Sequence, residues 1–505
     1  MKKRIFALLL AISLIATCLV GCKSNSADSD IQSAAEQTTA KKTDDTNFKL
    51  SYTQADSLDP FKAVSQNNQV LASLVFESLF DIDDGYEVSN NIASGYSFTD
   101  SKTLKVDINA NLIFSDASTI DTEDVAFSIR AAMKSEAYGS ALSSIKSVEE
   151  SGNSVYIYLN YENPYVVNLL TFPICSINDD ENGFPIGNGR YKYSTKNGDT
   201  VLVANEHRSD FKPYFTTITL INIAAEDSID NAVNIGNISF AFRDMSYDTS
   251  KRFSCNTKPV SMNNLIYLGV NSYSGITADP QIRKAISVAV DRSVIAESAY
   301  SGYATPAAST FNPNFKSVEN IKLFSDTADS TTARQTILQS GYNDKDLNIS
   351  ILVNYNENRR AAANLIKTQL EAAGFHVTID LENYGTYMDK IRYSNFDIYI
   401  GEIKLGNDMN LYPFLSDAGG AKYGINKDRI ECDELYTSYL SGEEELGKFI
   451  ISFNDEMPYI PLVYKKGMIC YSKVLNGDIQ SFEGNLFSNI DSWNFNNEEQ
   501  STDTN

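Results

Sequence analysis

Residues 359–381, RRAAANLIKTQLEAAGFHVTIDL, change their periodicity within one uninterrupted stretch. From Arg359 onward Ala362, Ile366, Leu370 and Ala373 recur three or four apart, as one stripe of a helix does; Gly374 stops it, and Phe375, Val377, Ile379 and Leu381 then alternate as a strand. A helix handed directly to a strand is the unit from which α/β layers are built. The pattern recurs outward from this stretch. Asp279-Pro280 opens a helix with Ile282, Ile286 and Val290 on one stripe, and Asp121, with Asp124 three residues on, caps another before Val125, Ile129, Ala132 and Met133. Phe48, Leu50 and Tyr52 alternate as a first strand, and Val155, Ile157 and Leu159 do so later. The fold class is therefore α/β.

At the N-terminus, Lys2, Lys3 and Arg4 precede a mostly apolar run from Ile5 to Val20 that ends in Leu19-Val20-Gly21-Cys22. Charge, apolar run and cleavage site in that order form an export signal. Leu-Val-Gly-Cys looks like a bacterial lipobox, in which the cysteine is acylated and becomes the mature N-terminus. About 16 apolar residues fall short of the roughly 20 that cross a bilayer, which favours a lipid anchor at Cys22, with residues 1–21 removed, over a membrane span. Residues 22–46 are rich in Ser, Ala, Thr, Asp and Lys and read as a disordered tether; the polar run from Asn494 to Asn505 is expected to fray. The expected address is the extracytoplasmic face of the bacterial cell membrane.

The 505 residues carry a formal net charge of −23, and loss of three basic residues with the signal leaves about −26. So acidic a chain is a poor nucleic-acid ligand. Its length predicts two or three domains, with material for a cleft between them. Cys18 leaves with the signal and Cys22 is acylated, so Cys175, Cys255, Cys432 and Cys470 remain, with three pairings open to them. Export permits disulfides, but there is no CxxC, and isolated buried thiols stay as open a reading as bridges.

Catalytic chemistry has little to draw on. Of two histidines, His376 falls on the polar side of its strand and His207 in a polar loop; GxSxG, HExxH and P-loop motifs are absent. Gly187-Asn188-Gly189 lacks the third glycine of a dinucleotide fingerprint and reads as a tight turn. Asp81-Ile82-Asp83-Asp84-Gly85 falls short of a calcium loop and reads as a hairpin turn around Asp84-Gly85. No enzyme, cofactor or metal site is expected.

Six short signatures follow one another in order. They are Ser57-Leu58-Asp59-Pro60 with Leu74-Val75-Phe76-Glu77-Ser78-Leu79; Ser115-Asp116-Ala117 with Asp121-Thr122-Glu123-Asp124-Val125-Ala126-Phe127-Ser128; Gly187-Asn188-Gly189-Arg190-Tyr191; Asn271 with the run from Asp279 to Asp291-Arg292; Phe396-Asp397; and Met457-Pro458-Tyr459-Ile460-Pro461-Leu462. Together they resemble the family 5 extracellular solute-binding proteins, the oligopeptide, dipeptide and nickel-complex receptors of ABC importers. The resemblance covers almost the whole body. It implies a type II periplasmic-binding-protein fold, with two lobes, a hinge and an extra inserted domain. By that resemblance 47–80, 183–262 and 472–499 form the core of lobe 1, 81–182 the inserted domain and 263–471 lobe 2. The implied role is to capture a short peptide as a monomer and deliver it to a membrane permease with its ATPase subunits; alternatives are a sugar or metal-chelate receptor, or a cell-surface hydrolase.

The resemblance also implies site residues. The cleft-lining loop falls on Val64, Ser65, Gln66 and Asn67; Tyr138 and Tyr384 fall where members place cleft aromatics, with a core or surface role open for each. Asn271 belongs to the fourth signature, and Asn358 stands where one receptor type uses histidine, with Arg359 and Arg360 beside it. Arg392 stands near a cleft arginine, with a surface ion pair as the other reading. Peptide-binding members follow Phe-Asp with a Trp and then an Asp that pairs with the ligand ammonium. Here Ile403 takes the Trp position and Gly406 or Asn407 the Asp position, so the expected anchor is missing, and Glu402 and Asp408 are the candidate replacements.

Overall fold

A computed structural model describes residues 47–245 and 252–495. The expected lipid anchor at Cys22, the expected signal and tether, and the end of the C-terminal run lie outside the described residues.

The stretch that announces the fold class behaves as its periodicity predicts. Asn356 caps a helix over Glu357–Ala373 by accepting from the Arg359 N–H, and Ala362, Ile366, Leu370 and Ala373 are buried. Gly374 has φ of 108°, a left-handed conformation that glycine adopts without a Cβ penalty, and the strand His376–Glu382 follows. That strand pairs in parallel with Asn348–Asn354, which also pairs in parallel with Ile398–Lys404.

These three strands form one end of a seven-stranded sheet. Asn256–Val270 joins them antiparallel to Tyr459–Tyr471, which carries Phe240–Arg243 and Ala304–Pro306. The largest core lies on this sheet, with Leu265, Ile266, Leu268, Ile282, Ile286 and Ile351 fully buried. A four-stranded sheet orders Phe48–Tyr52, Thr217–Asn222, Asp199–Ala204 and Tyr191–Lys196 over a second core that includes Phe48, Leu202, Ile218 and Trp493. A third core, with Val106, Val125, Ile129 and Ile157, lies under the antiparallel strands Ala93–Asp100, Thr103–Ile108, Ser154–Leu159 and Ile145–Ser151.

Local punctuation explains several boundaries. Asp121 accepts from the Glu123 and Asp124 N–H groups, and Asp124 accepts from the Asp121 N–H, a complete capping box at the start of Thr122–Ala132. Asp279 caps Pro280–Ala289, where proline needs no N–H donor. Asp83 accepts from the Gly85 and Glu87 N–H groups, closing the hairpin between Phe80–Ile82 and Val88–Asn90.

The expectation at Gly187-Asn188-Gly189 is corrected. This passage packs its backbone against the end of the helix Gln66–Val75, and the Gly189 N–H donates to the Val75 carbonyl at 2.9 Å. A Cβ on Gly187 would stand 2.1 Å from that carbonyl oxygen, so these glycines serve a close approach rather than a tight turn.

Candidate functional site

A cavity of about 540 Å³ opens where several distant segments converge. The helix Gln66–Val75 supplies Gln66 and Ser73, the chain after it Phe76, Glu77 and Asp81, and the segment beyond Thr122–Ala132 supplies Tyr138. Thr171 and Phe172 form another wall; the strand Ile398–Lys404 ends in Lys404 and runs on to Gly406 and Asn407. Phe482 and Glu483 close the remaining side.

Charge in this wall is organised in two places. Lys404 Nζ meets Glu483 Oε1 at 2.6 Å, and the Asn263 N–H donates to the other Glu483 oxygen at 3.2 Å. Glu483 holds the Lys404 ammonium above its ordinary range. On the far side Arg208 pairs with Glu77 at 2.8 Å, while Asn91 donates to both Glu77 and Asp81 at 2.8 and 3.0 Å. Desolvation and the adjacent Glu77 raise the Asp81 carboxyl. The wall also carries aromatic faces: Tyr138 packs against Phe61 and Phe172 with ring centroids 6.3 and 6.1 Å apart. Such a wall offers carboxylates, an ammonium, amides and aromatic surface, the equipment of solute binding.

The residues expected in the site divide three ways. Gln66 and Tyr138 line the cavity, as do Gly406 and Asn407, where the resemblance places the missing anchor as an expectation. Ser65 and Asn67 flank Gln66 in sequence but do not line the cavity, and serve the scaffold. Ser65 caps Gln66–Val75 and donates to Asp56 at 2.6 Å, while Asn67 accepts from Ser51 and donates to the Ile223 carbonyl. Val64 is exposed, its N–H held by Asp56.

The rest lie away from the cavity wall. Asn271 is buried and donates to the Ser394 and Phe396 carbonyls; Asn358 is buried on the helix Glu357–Ala373. Tyr384 is 65% exposed and stacks on Tyr387, and Arg392 pairs with Asp389 at 3.2 Å. Glu402 is engaged by Arg359 at 2.6 Å and Lys465 at 2.8 Å, while burial raises and these two cations more strongly lower its carboxyl, to about 2. Asp408 is buried and accepts from Asn163 and from the Asn410 N–H. Neither Glu402 nor Asp408 is among the residues that line the cavity.

Asp408 belongs to a seam beside the cavity, in which residues 161–171 run opposite 406–412. Tyr161 accepts from Asn410 at 3.1 Å and its ring meets that of Tyr412; Asn163 meets Asp408; Asn407 donates to Thr171 at 3.3 Å. Gly406 lets the two stretches touch, since a Cβ there would stand 2.6 Å from Asp408 Oδ1 and 3.1 Å from Leu169.

Sequence reasoning missed Glu77, Asp81, Lys404 and Glu483. Lys404, at the end of its strand, carried no local signal, since the face it shares with Glu402 does not mark the cavity. Glu483, in an irregular loop, carried none.

The fold has known counterparts. A glutathione-binding protein of Salmonella paratyphi A is 21% identical over 468 residues, covering 83% of this chain and 89% of that protein. The murein tripeptide-binding protein MppA, in its unliganded open form, superposes with a TM-score of 0.71 at 18% identity, covering 89% of this chain and 97% of that one. The NikA protein of Brucella suis in complex with Fe(III)-EDTA does so with a TM-score of 0.67 at 20% identity, covering 89% and 100%. These likenesses establish a periplasmic solute-binding fold. The sequence profile of the bacterial extracellular solute-binding proteins, family 5 (middle), matches residues 87–422, and this chain belongs to that family.

Proposed function

We propose that this chain is the substrate-binding lipoprotein of an ABC importer, capturing a short peptide between two lobes and presenting it to the membrane permease and its ATPase subunits. The observation that carries the reading is the cavity of about 540 Å³, a volume suited to a small solute, with Gln66, Tyr138 and Asn407 among its lining residues. Lys404 and Glu483 bring an ammonium and a carboxylate, paired with each other, into the cavity wall, groups that a charged ligand end can engage. Relatives named for glutathione and for a murein tripeptide support a peptide.

In this reading lobe 1 comprises 47–80, 183–262 and 472–499 with 81–182 inserted, lobe 2 comprises 263–471, and acylated Cys22 tethers the monomer outside the membrane. Closure is a hinge motion of the lobes about the ligand, and bound solute stabilises the closed state by its added contacts. A metal chelate or sugar is the second reading, favoured by the absence of a carboxylate at Gly406 and Asn407.

A thermal-shift screen of the full-length protein tests the choice. A ligand at 100 times its Kd stabilises by about 2.7 kcal/mol. Short peptides are expected to give that shift and Glu483→Gln to reduce it. A shift with a sugar or chelate and none with peptides assigns the cargo to the second class.

A further inference from the structure

Two of the four thiols of the body lie side by side. In the antiparallel pair Asn256–Val270 and Tyr459–Tyr471, Thr257 stands opposite Cys470. Side chains on one face of a strand recur every second residue, and Cys255 is two residues before Thr257, in the bend that enters the strand. It is therefore the diagonal neighbour of Cys470, and the two thiols are in hydrogen-bond contact beside a small apolar cluster that includes Met245 and Met468. Cys175 and Cys432, by contrast, sit against Ser128 and Glu456.

The two sulfurs are also chemically unequal. Cys255 is half-buried, and contact with Cys470, then the Tyr471 N–H and Lys473, favour its thiolate. Cys470 is fully buried, and its contact with Cys255 together with desolvation keeps it protonated. An accessible attacking thiol beside a buried resolving thiol is the arrangement that thiol–disulfide exchange uses.

We propose that Cys255 and Cys470 are joined by a disulfide in the exported protein. The inference rests on the extracytoplasmic setting of the family, where disulfides persist. The oxidant is an external disulfide, small or protein-borne. The Cys255 thiolate attacks one of its sulfurs and expels the other as a thiolate, leaving a mixed disulfide. Cys470 gives up its proton and attacks the Cys255 sulfur, releasing the second thiol. Two protein thiols are oxidised and one external disulfide is reduced to two thiols.

The bond would fall at one end of a strand pair that spans two cores. Val260 and Ile469 belong to the core with Trp493, whereas Leu265 and Leu462 belong to the largest core, and the pairing breaks register between Ser261 and Leu265. Covalent closure fixes the outer run and leaves bending to that break. It also constrains the unfolded chain across most of residues 263–471.

Alkylation of the full-length exported protein without reductant, followed by digestion and mass spectrometry, tests the bond. The expected product is a reducible cross-linked peptide pair containing Cys255 and Cys470, with Cys175 and Cys432 labelled only after unfolding. Label on both Cys255 and Cys470 in the unreduced protein overturns the proposal. In unfolding experiments Cys255→Ser is expected to lower the midpoint of oxidised protein and to be silent in reductant. An equal effect in both conditions overturns it as well.

Discussion

Asn163 and Asp408, 245 residues apart in sequence, meet at 2.8 Å through a hydrogen bond from the Asn163 amide to the Asp408 carboxylate. The bond is the middle contact of the seam beside the cavity. Burial pushes the Asp408 carboxyl up to about 6, and Asn163 and the Asn410 N–H hold back part of the rise. A seam built around a buried acid has a pH dependence.

That dependence has a definite sign. The folded value of about 6 lies above the ordinary 3.8, so the stabilising contribution of protonated Asp408 is complete below 3.8 and is lost as pH rises through 6. Asp408→Asn keeps one acceptor oxygen, for Asn163, gives up the bond from the Asn410 N–H, and removes the buried charge. The variant is expected to exceed the parent in stability at pH 8 by up to about 3 kcal/mol and to match it near pH 4, as read by urea unfolding at the two values. A variant less stable than the parent at pH 8 contradicts this account.

Glu402 has the opposite sign. Its carboxyl, near 2 in the fold against an ordinary 4.5, contributes stability that is present above 4.5 and lost as pH falls toward 2. Glu402→Gln removes the carboxylate from buried Lys465 and Arg359 and is expected to cost about 3–5 kcal/mol in thermal unfolding. Calorimetric titration of the folded fraction should return an unchanged ligand affinity, since Glu402 does not line the cavity.

Gly406 and Leu169 are expected to be coupled. Gly406→Ala places a methyl against Leu169 and Asp408, with a loss of about 1–3 kcal/mol. Adding Leu169→Ala should cost less in that background than in the parent. Strict additivity in denaturant unfolding would show that the two stretches do not touch there.

The capping box gives a local control. Asp121→Ala removes the acceptor for the Glu123 and Asp124 N–H groups and is expected to lower stability by about 1 kcal/mol. Ligand affinity measured on the same sample should not move.

Elements were legible in the sequence where the signal was local. The helix over Glu357–Ala373, Gly374 and the following strand were written in spacing alone, as were the Asp121 and Asp279 caps. The glycines at 187 and 189 were misread because what they accommodate, the Val75 carbonyl, lies over a hundred residues earlier. Family spacing pointed to Gln66, Tyr138, Gly406 and Asn407, and these four line the cavity. It carried no information on the ion pair of Lys404 with Glu483, which depends on a loop folding back from the end of the chain. Nor did it reveal that Arg359 and Lys465 occupy Glu402. Partnerships between distant charges leave no mark on local periodicity.

The central claim is that this cavity holds a short peptide, and the most direct measurement is mass spectrometry of the solute released when the full-length protein, purified from its host without denaturation, is unfolded. The account predicts short peptides, present in the parent and depleted in Glu483→Gln. A released sugar or metal chelate in place of peptides would contradict it.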